Sequence, residues 1–179
     1  MQFFGHKYIM TMTTLYLVRH GETVDNARQI MQGQTQGELN ATGISQAEAL
    51  RDKLSDIHID VFVSSDLYRS IQTCRILAQG RQVPMVETPL LRERDWGDFT
   101  GQYIPSLADR EWPANVESAE RLLARARNFL TWVRVTYPDQ VVVAVGHGII
   151  NKAIQSVYHH RPMSQILKMT NAEMRVLML

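Results

Sequence analysis

Four short clusters in the 179-residue chain hold the side chains most able to do chemistry: Arg19-His20-Gly21-Glu22-Thr23 with Asn26 and Arg28 close behind, Ser64-Ser65-Asp66 leading to Arg69, Leu91-Arg92-Glu93-Arg94, and Gly146-His147-Gly148. Among them Arg19, Arg69, His20, His147, Asn26 and Glu93 offer two guanidinium groups, two imidazoles, an amide and one carboxylate, a combination suited to phosphoryl transfer. Arg19 and Arg69 can each grip phosphate oxygens through paired N–H donors. Asn26 adds a neutral donor, and His147, between two glycines, is expected to keep its ring accessible. A neutral imidazole attacks phosphorus through one nitrogen if its other N–H is fixed by a carbonyl, and His20, in a tight turn with Gly21, is the candidate nucleophile. Glu93 would protonate the leaving oxygen and then take a proton from the water that hydrolyses phosphohistidine. The arginines and the second histidine would stabilise the charge of the transferring group, a clamp that calls for no metal and no cofactor.

Such groups must be carried to one place by regular elements. Thr14–Arg19 is β-rich and reads as a buried strand entering the first cluster. Thr42–Ser55 reads as a helix capped by Thr42, with Ile44, Ala47, Leu50 and Leu54 on one face. Val61–Ser64 is a second strand, and Ser65 can cap a helix running to about Gln79. Arg69 then falls near the first turn, where the helix dipole disfavours a cation unless an anion lies between them. Val83–Glu87 is a short strand whose Pro84 suggests its start or an edge position. Periodicity is absent from Leu90 to Val116. Glu117–Tyr137 is the clearest helix, its apolar stripe made by Leu122, Ala126, Phe129, Leu130 and Val133; the Arg and Glu residues of 120–127 read as its solvated face. Val141–Val145 suits a central parallel strand, Gly148–Tyr158 a helix and Met174–Leu179 a last strand. Strands alternating with helices predict a three-layer α/β/α sandwich with a mainly parallel central sheet. In such sheets ligands bind beyond the carboxyl ends of the strands, where all four clusters fall.

Plainer readings stand beside these. Flanked by Arg92 and Arg94, Glu93 also reads as an ion-paired surface carboxylate, although neighbours on an extended segment point opposite ways. Gly146-His147-Gly148 lacks the third glycine of a dinucleotide fingerprint, since Asn151 stands in its place. His58, His159 and His160 read as surface residues, and Cys74 as core packing with Leu67 and Ile71. Trp96, Phe99, Tyr103 and Trp112 serve equally as a lid over the organic part of a substrate or as packing for an irregular loop.

The motifs also resemble a known family. Arg19-His20-Gly21-Glu22-Thr23 followed by Asn26 is similar to the signature of the histidine phosphatase superfamily, in its phosphoglycerate-mutase-like branch. Ser64-Ser65 with Arg69, Leu91-Arg92-Glu93 and Gly146-His147-Gly148 follow in the family's order, so the resemblance runs from about Thr13 to Leu179. It implies phosphohistidine at His20, phosphate contacts from Arg19, Asn26, Arg69 and His147, an acid at Glu93, and a phosphoglycerate-mutase-like fold. Thr23, Arg28, Gln34 and Gly148 complete the expected substrate-binding set with Asn26. Two places depart from the family pattern: Gln34–Asn40, and Val116-Glu117-Ser118, where the family often shows Gly-Glu-Ser. The segment Arg94–Gln102 is similar to one in the α-ribazole and broad-specificity phosphatases.

Composition narrows the class further. The length predicts one domain over residues 13–179, with 1–12 as an extension or a mis-assigned start. The 45% hydrophobic content can build a core without disulfides, and a single cysteine excludes a disulfide framework. Nineteen basic against eighteen acidic residues give no support for nucleic-acid binding, and no apolar run is long enough to span a bilayer. A cytoplasmic phosphatase of small phosphomonoesters is the expectation. The alternatives are a phosphoglycerate mutase, disfavoured by the short segment between Glu93 and His147, and a phospho-ligand binding module without turnover. The oligomeric state is left open.

Overall fold

The computed structural model describes residues 12–179, and the reading of the first residues as an extension falls, but for Met12, outside them. Five strands form one sheet in the order β3-β2-β4-β1-β5: β1 (Thr14–Arg19), β2 (Val61–Ser65), β3 (Met85–Thr88), β4 (Val141–Gly146) and β5 (Met174–Met178). β1, β4, β2 and β3 run parallel, and β5 pairs antiparallel with β1. The fully apolar run of β4 sits centrally, between β1 and β2, and the proline-led β3 lies at an edge, as each pattern requires.

Alternation along the strands divides the interior in two. Leu15 and Leu17 of β1, Val61 and Val63 of β2, and Val142 and Ala144 of β4 face α4 (Ala119–Thr136) and α5 (Gly148–His159). Val18, Phe62, Val143 and Val145 face the other way, against α2 (Ala41–Lys53) and α3 (Tyr68–Ala78), where Cys74 is buried. This is the three-layer sandwich. Every residue of the predicted stripe on α4 is buried. Each fully buried Leu or Phe of these layers contributes about 2 kcal/mol of transfer free energy.

Local chemistry moves several boundaries. α2 begins at Ala41 because Asn40, not Thr42, is the cap: its Oδ1 accepts the Gly43 N–H at 2.8 Å. Ile44, expected on the buried face, is 40% exposed, and Gly43 takes the inward place. A glycine in a helix costs about 1 kcal/mol relative to alanine, but here nothing larger fits. A Cβ on Gly43 would lie 2.0 Å from the Glu22 carbonyl oxygen, so this glycine is what brings α2 against the turn after β1. α3 starts at Tyr68, three residues after Ser65. Between β3 and α4 the chain makes three single 3₁₀ turns, at Pro89–Leu91, Gly97–Phe99 and Ile104–Leu107, which is why no period was readable there. A four-residue helix, α1 (Val24–Ala27), went unpredicted; it is too short to show a period.

Candidate active site

Register assembles the floor of the site. Arg19, the last residue of β1, pairs across the sheet with Gly146, so His20 and His147 leave adjacent parallel strands side by side. Their rings lie 5.0 Å apart between centroids. His20 is buried, and its Nδ1 lies 2.7 Å from its neighbour Gly21's carbonyl oxygen. With the proton on Nδ1 donating to that carbonyl, the free lone pair is on Nε2, as the sequence reading of a carbonyl-fixed nucleophile requires. Burial first, then the positive charges of Arg69 and Arg19, holds the His20 imidazole well below its usual range and therefore neutral near pH 7. His147 is displaced in the same direction by burial and the same two arginines, with His20 and Arg125 adding to the effect. The accessible ring expected for His147 is corrected: it is fully buried behind His20, at the end of the central strand. A Cβ at Gly146 would lie 2.4 Å from Asn151 Oδ1, so this glycine lets α5 pack tightly behind the strand end.

Arg69 enters from the first turn of α3, 1% exposed. Its Nη groups reach the loop after α1, donating to the carbonyls of Gly33 (2.8 Å), Thr35 and Gln36 (3.2 Å). The anion expected at the start of α3 is corrected too. Gln36 occupies that helix end, its side chain accepting the Tyr68 N–H and its carbonyl the Arg69 N–H. Loop carbonyls, not a ligand, thus answer most of the guanidinium. Arg69 Nε has no partner among the described residues, nor has Arg19 Nε; Arg19 Nη1 donates to Met169 O at 2.7 Å. Burial lowers the Arg69 pKa to about 10, which leaves it charged at neutral pH. Of the six buried side-chain N and O atoms without a partner among the described residues, four belong to Arg19, Arg69 and His147.

Asn26 and Thr23 form a reciprocal cap on α1: Thr23 Oγ1 accepts the Asn26 N–H at 2.9 Å, and Asn26 Oδ1 accepts the Thr23 N–H at 3.2 Å. Asn171 Nδ2 donates to the same Oδ1, which commits the amide oxygen and leaves Nδ2 for the cleft. Glu93 sits on the start of α5. Its Oε1 accepts N–H groups of Arg94, Ile149 and Ile150, and its Oε2 that of Ile149. Its two arginine neighbours do turn away. Arg92 pairs with Asp66, and Arg94 lies between the rings of Trp96 and Trp112, at 4.9 and 4.8 Å.

The cleft above this floor is lined by Arg19, His20, Asn26, Arg69, Glu93 and Gly148 of the expected residues. Thr23, Arg28 and Gln34 are not on its surface. Thr23 is buried as the cap, Arg28 ends α1 in solvent, and Gln34 Nε2 donates to the Glu93 carbonyl at 3.1 Å. The aromatic group divides between the two readings left open for it: Trp96 lines the cleft, Phe99 is buried packing, and Tyr103 and Trp112 are more than half exposed. Reasoning from the sequence missed Ile30, Met31, Ile104, Ile149 and Lys168 on the walls, and Asn171 behind Asn26. No motif marks them, because they meet only through loop packing. Among the described residues no three His, Cys, Asp or Glu side chains group as metal ligands, and no helix is long and apolar enough to cross a membrane.

A family model described as the histidine phosphatase superfamily, branch 1, matches residues 15–179. The chain belongs to this superfamily. It is 35% identical to the uncharacterized phosphatase PhoE of Bacillus subtilis, over 90% of this chain and 86% of the relative. It is 33% identical to a metal-independent phosphoserine phosphatase of Arabidopsis thaliana, over 80% and 67% respectively. Bacillus stearothermophilus YhfR superposes with a TM-score of 0.85 at 26% identity, covering 92% of this chain and 90% of its own. The relationship makes this histidine phosphatase a phosphoric monoester hydrolase by family, on a phosphoglycerate-mutase-like α/β fold.

Proposed function

We propose that the protein hydrolyses small phosphomonoesters through a phosphohistidine at His20, without a metal ion. The observation that carries this reading is the set of buried nitrogens without partners on Arg19, Arg69 and His147, gathered around an imidazole whose Nδ1 is already committed. An unsatisfied buried polar group costs about 1–3 kcal/mol, and a phosphoryl group would answer the donors of the set together: Arg19 Nε, Arg69 Nε and the single N–H of the neutral His147 ring.

In the reaction, His20 Nε2 attacks phosphorus in line as the bond to the ester oxygen breaks, and Glu93 gives that oxygen its proton. Glu93 Oε2, which among the described residues accepts only from Ile149, has a lone pair to carry that proton. Arg19 Nε, Arg69 Nε, Asn26 Nδ2 and an N–H of His147 take the charge of the equatorial oxygens. Glu93, now ionised, removes a proton from water, which attacks phosphorus and breaks the P–N bond, returning inorganic phosphate and neutral His20. Solvent reaches this cleft past Ile104, 44% exposed, which favours hydrolysis over retention of the phosphoryl group. The apolar wall of Ile30, Met31, Trp96, Ile104 and Ile149 suits the organic part of a small metabolite. A net charge of +1 supports a small-molecule rather than a nucleic-acid partner, and the lone buried Cys74 suits a cytoplasmic setting.

The test is phosphate release from an aryl phosphate in excess chelator, comparing the intact protein with His20→Ala. The expected result is release by the intact protein, a phosphoprotein trapped under non-acidic mass spectrometry, and loss of both in the variant by at least about 10³-fold. Release that persists in His20→Ala would overturn the reading.

A further inference from the structure

We propose that Arg125, on α4 and outside the cleft, is a positioning residue that holds Glu93 in place to act as the acid. The inference rests on the role given to Glu93 above. Arg125 falls in the stretch of α4 read from the sequence as solvated, yet its side chain is only 16% exposed and turns inward. All five of its N–H donors are used. Nε and one Nη2 hydrogen meet the two oxygens of Glu117 at 3.1 and 2.7 Å. The Nη1 hydrogens go to the carbonyls of Leu90 (3.1 Å) and Arg92, and the remaining Nη2 hydrogen to that of Glu93 (3.4 Å).

Three carbonyls within four residues therefore converge on one rigid fork. The segment from Leu90 to Glu93 has no sheet partner among the described residues; beyond the local bonds of its 3₁₀ turn and the Arg92–Asp66 pair, these bonds and that from Gln34 hold its path. Glu117 is itself 13% exposed, and besides neutralising the buried guanidinium it accepts the Asp95 N–H through Oε2 and the Arg94 Nε–H through its carbonyl. The carboxylate of Glu93 is thus placed from two sides: its head by the N–H groups of α5, its backbone by a side chain of α4. These helices pack together, so both holds share one rigid frame. Lysine, with three donors on a single nitrogen, cannot reproduce the planar fork.

A positioning role makes a specific kinetic demand. Acid catalysis matters for poor leaving groups and little for good ones, so displacing Glu93 must cost more on alkyl than on aryl phosphates. The experiment measures kcat and KM of Arg125→Met, Arg125→Lys, Glu93→Gln and the double variant Glu93→Gln/Arg125→Met on p-nitrophenyl phosphate and on an alkyl phosphate. Arg125→Met is expected to lose about tenfold more kcat on the alkyl ester than on the aryl ester. KM should hold within about twofold, with the double variant no worse than Glu93→Gln alone. Arg125→Lys should show the same preference to a smaller degree, and it serves if the methionine variant does not fold. Equal losses on both esters in Arg125→Met or Arg125→Lys, or additive losses in the double variant, would overturn the proposal. Equal losses in Glu93→Gln would instead remove the acid role on which it depends, so the two failures are separable.

Discussion

On one side of the cleft, Arg19, His20 and His147 stand at the ends of β1 and β4, whose six paired residues fix where each must be. On the other, Glu93 and Trp96 come from a stretch between Leu91 and Ala119 that contains no strand and no α-helix. The first side is held by backbone-to-backbone bonds that almost any apolar strand sequence would make. The second is held by particular side chains: Arg125 on three carbonyls, Gln34 on one, and Arg94 between two tryptophans. In the proposed reaction the nucleophile and its nearest phosphate donors, Arg19 and His147, are placed by the register of a sheet. The proposed leaving-group and substrate contacts rest on side chains that one substitution can alter without touching the sheet.

Arg69 offers the harshest test of that division, because it belongs to both sides. Its backbone starts α3 on the regular scaffold, while its guanidinium ties down the loop carbonyls of Gly33, Thr35 and Gln36. Arg69→Met should cut kcat/KM by about 10²-fold or more, on aryl and alkyl esters alike, since both share the phosphoryl group. Inhibition by inorganic phosphate should weaken in parallel. A loss confined to alkyl esters would place Arg69 with the leaving-group side and blur the contrast.

Stability against pH sharpens the comparison from the rigid side. His20 and His147 are both displaced well below 6.5 by burial and by Arg69 and Arg19. When the chain unfolds below pH 6.5 each histidine takes up a proton that the folded state refuses, so the unfolded state binds more protons. Stability therefore stands at its full value above about pH 6.5 and falls as pH drops from there towards the folded-state values, by about 1.4 kcal/mol per pH unit for each histidine. Urea unfolding between pH 5 and 8 should show that slope, and His147→Gln should remove one histidine's share of it. A slope unchanged in the variant would mean that the buried ring of His147 is not the neutral group described.

The same division explains what could be read from the sequence. Strand ends carry their chemistry next to an apolar run, so Arg19, His20 and His147 were legible as chemistry, and Arg69 by its place after β2. The burial of His147 was not, because accessibility depends on what lies across the sheet. Asn40 outcompeted Thr42 as a cap through a bond to Gly43 that spacing alone does not reveal. Thr23, expected on substrate, proved to be half of a reciprocal cap on a helix too short to show a period. Arg125 was hidden most completely: a charged residue among charged residues on an amphipathic helix looks solvated, and the three carbonyls it holds lie more than thirty positions away in the chain.

The gentlest break in the contrast is at Trp112. Its ring lies edge-on to Trp96 at 5.5 Å, and the Arg94 guanidinium sits between the two. Trp112 is 55% exposed and touches no part of the phosphate floor, whereas Trp96 lines the cleft wall. Removing it takes away one of two cation–π faces, each contributing about 0.5–1 kcal/mol at an exposed site. Trp96 then loses its edge partner but keeps Arg94. For Trp112→Ala this argues a rise in KM of about threefold on bulky aryl phosphates, with kcat and inhibition by inorganic phosphate unchanged. Phosphate inhibition reports the floor and KM the wall, so a change in the first would mean that the irregular side also shapes the phosphate clamp, and that the two halves of the cleft are not held independently.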